Sequence, residues 1–112
     1  MAIEAERDGT TLIARTDARV DGANARAFQD ELETIIDEND RTVILDLQKL
    51  LYISSAGLRV IMLTAKALGR QEIKFAVCSL TDPVQEVFKV SGFDKIILVH
   101  PSLSDAKAAL QG

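Results

Sequence analysis

Apolar and polar residues recur at several different periods along this chain, and each change of period marks an element. Short runs at residues 3–7 and 11–16 flank Asp8-Gly9, the pattern of two strands joined by a tight turn. A polar loop over 17–22 follows. From about residue 24 to 38, Ala25, Phe28, Leu32, Ile35 and Ile36 recur at helical spacing among charged neighbours, and Asn39-Asp40 ends that helix. Residues 42–47 show no polar alternation before Asp46, as expected of a central strand covered on both sides. A second helix is predicted over 55–68, with Leu58, Ile61, Met62, Ala65 and Leu68 as its buried stripe and Gly69 closing it. Residues 72–78 read as the next strand. A short helix over 82–90 takes Asp82 as cap and Pro83 at its first position, and Ser91-Gly92 stops it. Residues 96–99 form a last strand, and 102–110 a last helix with Leu103, Ala106, Ala109 and Leu110 facing inward. Strand alternating with helix predicts the α/β class: a mixed, largely parallel sheet of four to five strands packed with about four helices. No repeat, low-complexity stretch or linker interrupts the pattern, so residues 1–112 are expected to form one domain.

Bulk properties narrow the partners. A chain of 112 residues with 47% hydrophobic content can bury one core and is too short for two. Lysine and arginine number 13 against 17 acidic residues, for a net charge of −4. No basic block stands out, so a nucleic-acid backbone is not an expected partner. Cys78 is the only cysteine and lies in a strand pattern, which excludes an internal disulfide or a cysteine-rich zinc site and reads as a buried, inert thiol. The N-terminus, Met1 to Arg7, carries charges where a signal peptide needs an apolar core. No apolar run approaches the ~20 residues that cross a bilayer. The expectation is a cytoplasmic protein without a membrane segment.

The most informative stretch is Tyr52-Ile53-Ser54-Ser55-Ala56-Gly57-Leu58-Arg59, which places two hydroxyls where a buried strand should hand over to an amphipathic helix. Backbone N–H groups are unpaired there and the helix dipole is positive, so an anionic group can be held. Nucleophilic catalysis would need a base and an orienting carboxylate. The only histidine, His100, sits beside Pro101 past the last strand and reads as a surface residue, and no Gly-x-Ser-x-Gly elbow is present. Phosphate-loop glycine patterns are absent. Asp30, Glu31, Glu33, Asp37 and Glu38 read as the solvated face of a helix rather than as metal ligands. Neither catalysis, a cofactor nor a metal is therefore expected. A serine at this place is either a helix cap or a phosphate acceptor. Tyr52 and Ile53, which are expected to extend the strand end with bulky side chains, and Gly57, which permits close backbone approach, favour exposed hydroxyls at the carboxyl edge of a sheet.

Asp46-Leu47 followed by Tyr52 to Val60 resembles the signature of STAS domains, specifically the bacterial anti-sigma factor antagonists. The segment from Ala18 to Ala25 is similar to that family's stretch before its first helix, which commonly reads Gly-Arg-Leu-Asp. Element order and length match over nearly the whole chain. The resemblance implies a STAS-like fold and a partner switch. Unphosphorylated, such a protein binds a serine kinase of GHKL type that doubles as anti-sigma factor, freeing the sigma factor. The kinase uses ATP to phosphorylate the antagonist, which is thereby released, and a PP2C-type phosphatase resets it. Aligned on Gly57-Leu58, the phosphoacceptor falls on Ser55, with Ser54 as the alternative. The commoner family pattern is Asp-Ser-Ser/Thr-Gly-Leu, so Ser54 stands in the aspartate's place and Ala56 in that of the second hydroxyl. Partner contacts are implied at Asp21, Asn24, Ser54, Ala56, Gly57, Leu58 and Arg59. Leu58, Val60 and Ile61 are too closely spaced to share one helical face, which leaves some of them for the partner, and Arg59 should point outward. The family implies a monomer that joins heteromeric complexes. A STAS regulatory or scaffold subunit of a transporter or signalling complex, without a phosphorylation switch, is the alternative. A small enzyme or ligand binder using the sheet edge is the rival from another class.

Overall fold

The computed structural model describes residues 3–111, so Met1, Ala2 and Gly112 of the expected domain lie outside it. Strand β4 (Thr42–Asp46) is buried at every position, because both of its faces are covered. It pairs in parallel with β2 (Thr11–Arg15) on one side and with β6 (Lys74–Cys78) on the other. β1 (Glu4–Asp8) folds back antiparallel on β2 through a two-residue connection in which Gly9 takes φ +62°. β7 (Val99–His100) adds in parallel to β6, giving the order β1-β2-β4-β6-β7. The sheet is thus mixed, five-stranded and mostly parallel, as the alternating pattern predicts.

Helices α1 (Ala25–Ile35), α2 (Ser55–Arg70) and α3 (Asp82–Ser91) bury Phe28, Leu32, Ile61, Val84 and Phe88 in one core with Ala14, Leu45 and Val77. α4 (Leu103–Gln111) packs Ala106 and Leu110 against the alternate strand positions Ile44, Ala76 and Cys78. No helix among the described residues is long and apolar enough to cross a membrane.

Several boundaries differ from expectation, each for a tertiary reason. α1 stops at Ile35 rather than residue 38. Arg7 of β1 donates to the Ile35 carbonyl at 2.7 Å and to the Asp40 carboxylate at 2.9 Å, while Asp40 accepts the Asp37 N–H at 2.8 Å. These bonds close a turn where the helix could have continued. α2 runs through Gly69 to Arg70, and Glu72 reverses the chain at φ +60°, so β6 starts at Lys74 rather than at 72. Thr81, not Asp82, is the residue ahead of α3, and its hydroxyl donates to the Leu50 carbonyl at 2.6 Å instead of capping the helix. Gly92 ends α3 at φ +78° and leads into a 3-10 turn (Phe93–Lys95). That turn shortens the last strand to β7 and leaves Ile96 and Leu98 exposed. Val60 is buried together with Leu58 and Ile61, none of the three being left outside, whereas Met62 and Ala65 are half-buried and Ala109 is exposed. The largest departure lies at the site. The 17–22 loop contains a strand, β3 (Arg19–Val20), which pairs in parallel with β5 (Tyr52–Ile53) as a separate two-stranded sheet. Tyr52 and Ile53 belong to that small sheet and do not prolong β4.

Candidate functional site

The small sheet sets the start of α2. Arg19 faces Tyr52 and Val20 faces Ile53, and the Ser54 N–H donates to the Val20 carbonyl at 2.9 Å. Val20 and Ile53 are buried while Arg19 and Tyr52 face solvent. Gly57 is the joint. A Cβ there would lie 2.7 Å from Ile53 Cγ1 and 2.8 Å from Val20 Cγ1, so only glycine lets the first turn of α2 rest on the small sheet.

The two serines divide the available roles. Ser54 has extended backbone angles and is the N-cap of α2, its Oγ accepting the Gly57 N–H at a long 3.4 Å. Ser55 is the first helical residue and is exposed. Its hydroxyl takes part in no hydrogen bond among the described residues. It therefore presents an unbonded hydroxyl at the positive end of a 16-residue helix, a place that favours negative charge.

Beside it stands a knitted loop. The Asp21 carboxylate takes the Ala23 N–H at 2.9 Å and pairs with Arg19 Nε. The Arg19 hydrogen bond, seconded by that amide, holds the Asp21 carboxyl below its ordinary range, so it is an anion at neutral pH. Asn24 accepts the Asp21 N–H at 2.8 Å and donates to the Arg19 carbonyl at 2.9 Å. The guanidinium of Arg19 also lies 4.4 Å over the Tyr52 ring. Ala56 is half-buried and Arg59 exposed, whereas Gly57 and Leu58 (6% exposed) lie beneath in the core and shape the surface from below.

The structure thus brings Asp21, Asn24, Ser54, Ser55, Ala56 and Arg59 to one end of α2 or the loop that abuts it. It adds residues that sequence reasoning missed: Arg19, Leu51 (59% exposed) and Tyr52 (46% exposed). An apolar Leu-Tyr pair in a loop between core segments was a signal for them, though only the β3–β5 pairing shows that it adjoins the serines. His100 is half-buried on β7, and no hydrogen bond joins it to either serine. Burial pushes the Cys78 thiol up, consistent with an unreactive side chain.

A mixed, mostly parallel α/β sheet with a capped helix start at its edge is an architecture that known proteins share. The STAS domain profile matches residues 2–106, and the chain belongs to that family. A Bordetella bronchiseptica protein named "Putative anti-sigma factor antagonist BtrV" is 44% identical over 100 residues, covering 89% of this chain and 86% of its own. An anti-sigma factor antagonist from Mycobacterium paratuberculosis superposes with a TM-score of 0.90 at 21% identity, covering 99% of this chain and 94% of that one. The anti-sigma factor antagonist SpoIIAA in its unphosphorylated form gives 0.81 at 18% identity, over 99% and 97% of the two chains. At those identities the two structures speak for the fold alone.

Proposed function

We propose that this protein is an anti-sigma factor antagonist that switches partners by phosphorylation of Ser55. One observation carries the reading. Of two adjacent hydroxyls, one is used as the helix cap and the other is exposed, unbonded and seated on the helix dipole. The unphosphorylated protein docks on an anti-sigma factor that is also a serine kinase of GHKL type, and acts in the cytoplasm as a monomer entering heteromeric complexes. In the transfer step an Oγ–P bond forms on Ser55, the bond from the γ-phosphorus to ADP breaks, and the hydroxyl proton passes to a base of the kinase. A PP2C-type phosphatase reverses the modification by hydrolysis.

The proposed partner contacts are Ser54, Ala56 and Arg59 at the start of α2 and Asp21 and Asn24 in the loop after β3, with exposed Leu51 and Tyr52 proposed as an apolar anchor. A phosphate buried at such an interface must shed water and meet any carboxylate that the partner or the Asp21 loop presents there, which disfavours the complex. Incubation with ATP and a cognate kinase, followed by intact-mass analysis, tests the reading. A gain of roughly 80 Da is expected, lost in Ser55→Ala and kept in Ser54→Ala. No gain, with partner binding intact, would instead identify a scaffold subunit without a switch.

A further inference from the structure

At the other end of α2 the two leading helices leave a groove that the switch does not use. It is a cavity of about 240 Å³ between α1 and α2, with Leu32, Ile36, Leu63, Ala67 and Leu68 among its lining. Leu63 is 38% exposed there. Glu33, Asp37 and Glu38 line the same cavity and no lysine or arginine does. These carboxylates gather at the C-terminal end of α1, whose last turn carries no basic residue. Arg7 meets the negative end of that dipole at the Ile35 carbonyl, and a further cation at the outer carboxylates would be favourable there. Arg7, the nearby cation, is committed to Asp40 and the Ile35 carbonyl, and neither Glu33 nor Glu38 forms an ion pair among the described residues.

The volume is smaller than the ~300–1,000 Å³ of pockets that enclose a free organic ligand. It suits one or two aliphatic side chains presented by a helix. We infer that this groove docks a cationic amphipathic helix of a protein partner, an aliphatic anchor seated between α1 and α2 with flanking lysine or arginine on Glu33 and Glu38. Leu63 lies about 12 Å along the helix axis from Ser55, and Leu68 about 20 Å. The groove is therefore a second contact, separate from the phosphorylation site, and can hold a partner while the switch turns over.

The probe is a short leucine–lysine peptide in amphipathic order, with a control of equal composition whose leucines are spread around the helix. Amide chemical-shift mapping on the whole isotope-labelled protein should place the changes at Leu63, Ala67, Gln71 and the end of α1. Leu63→Ala, and Glu33→Gln with Glu38→Gln, should each weaken binding by about tenfold. All these side chains are solvent-accessible, and unchanged spectra elsewhere would show the fold intact. Ser55→Glu should leave this affinity alone, which separates failure here from failure of the switch. Equal binding of the scrambled peptide, shifts centred on the Ser55 end, affinity unmoved by the substitutions, or self-association through this face in sedimentation would each overturn the inference.

Discussion

Ser54 and Ser55 are adjacent and chemically identical, and the helix start makes them different. Ser54→Ala removes the hydroxyl acceptor for the Gly57 N–H and should cost about 0.5–1 kcal/mol, the low end because that bond is 3.4 Å long, read as a shift in the urea midpoint. Ser55→Ala should leave the midpoint in place and abolish phosphate incorporation. Gly57→Ala should destabilise by about 1–3 kcal/mol, because its methyl meets the branched, buried side chains of Val20 and Ile53. The thermal melt measures that cost, and slower phosphorylation should accompany it as the acceptor is displaced. The serine pair and Gly57 are legible in sequence because capping and backbone approach are local. Arg19, Leu51 and Tyr52 are not, since their place beside the acceptor depends on a strand pair formed by residues 33 positions apart, Arg19 with Tyr52.

Elements supply what residues cannot. α1 looks longer in its periodicity than it is, because apolar spacing continues through Ile36 while Arg7 and Asp40 close the chain into a turn. The Arg7 hydrogen bond holds the Asp40 carboxyl below its ordinary 3.8, outweighing the opposite effect of desolvation. A carboxyl with a depressed folded pKa contributes stability that is complete above its unfolded value and lost as pH falls through the folded one. Stability should accordingly decline below about pH 4. Asp40→Asn should flatten that decline and cost about 1–3 kcal/mol at neutral pH, checked by denaturation across a pH series. The small sheet makes a second element-scale claim. Since the Ser54 N–H is bonded to the Val20 carbonyl, it should exchange slowly with deuterium, and Val20→Ala should speed that exchange more than exchange in β4.

For the whole molecule, the proposed switch requires that a local charge change assembly without changing the fold. Phosphorylation takes the net charge from −4 to about −6, a doubly ionised group adding two negatives. The added charge lies on a helix N-terminus outside the core, so the melting temperature should move little. Complex formation should weaken by roughly a hundredfold, equivalent to ~3 kcal/mol, as measured by titration of the phosphorylated against the unmodified protein. Retention of full affinity after stoichiometric phosphorylation would remove the switch and leave a scaffold.

The α/β class, the burial of β4, the start of α2 and the serine pair follow from the sequence by itself, because periodicity, capping and turn chemistry act between residues a few positions apart. Tertiary structure alone decided where α1 ends, that Val60 is buried beside Leu58, and that two short segments pair into a second sheet beneath the acceptor. It also decided which serine is free. Those outcomes are set by contacts between distant segments, where a hydrogen bond from Arg7, or one accepted by the Val20 carbonyl, outweighs the local preference that the chain displays.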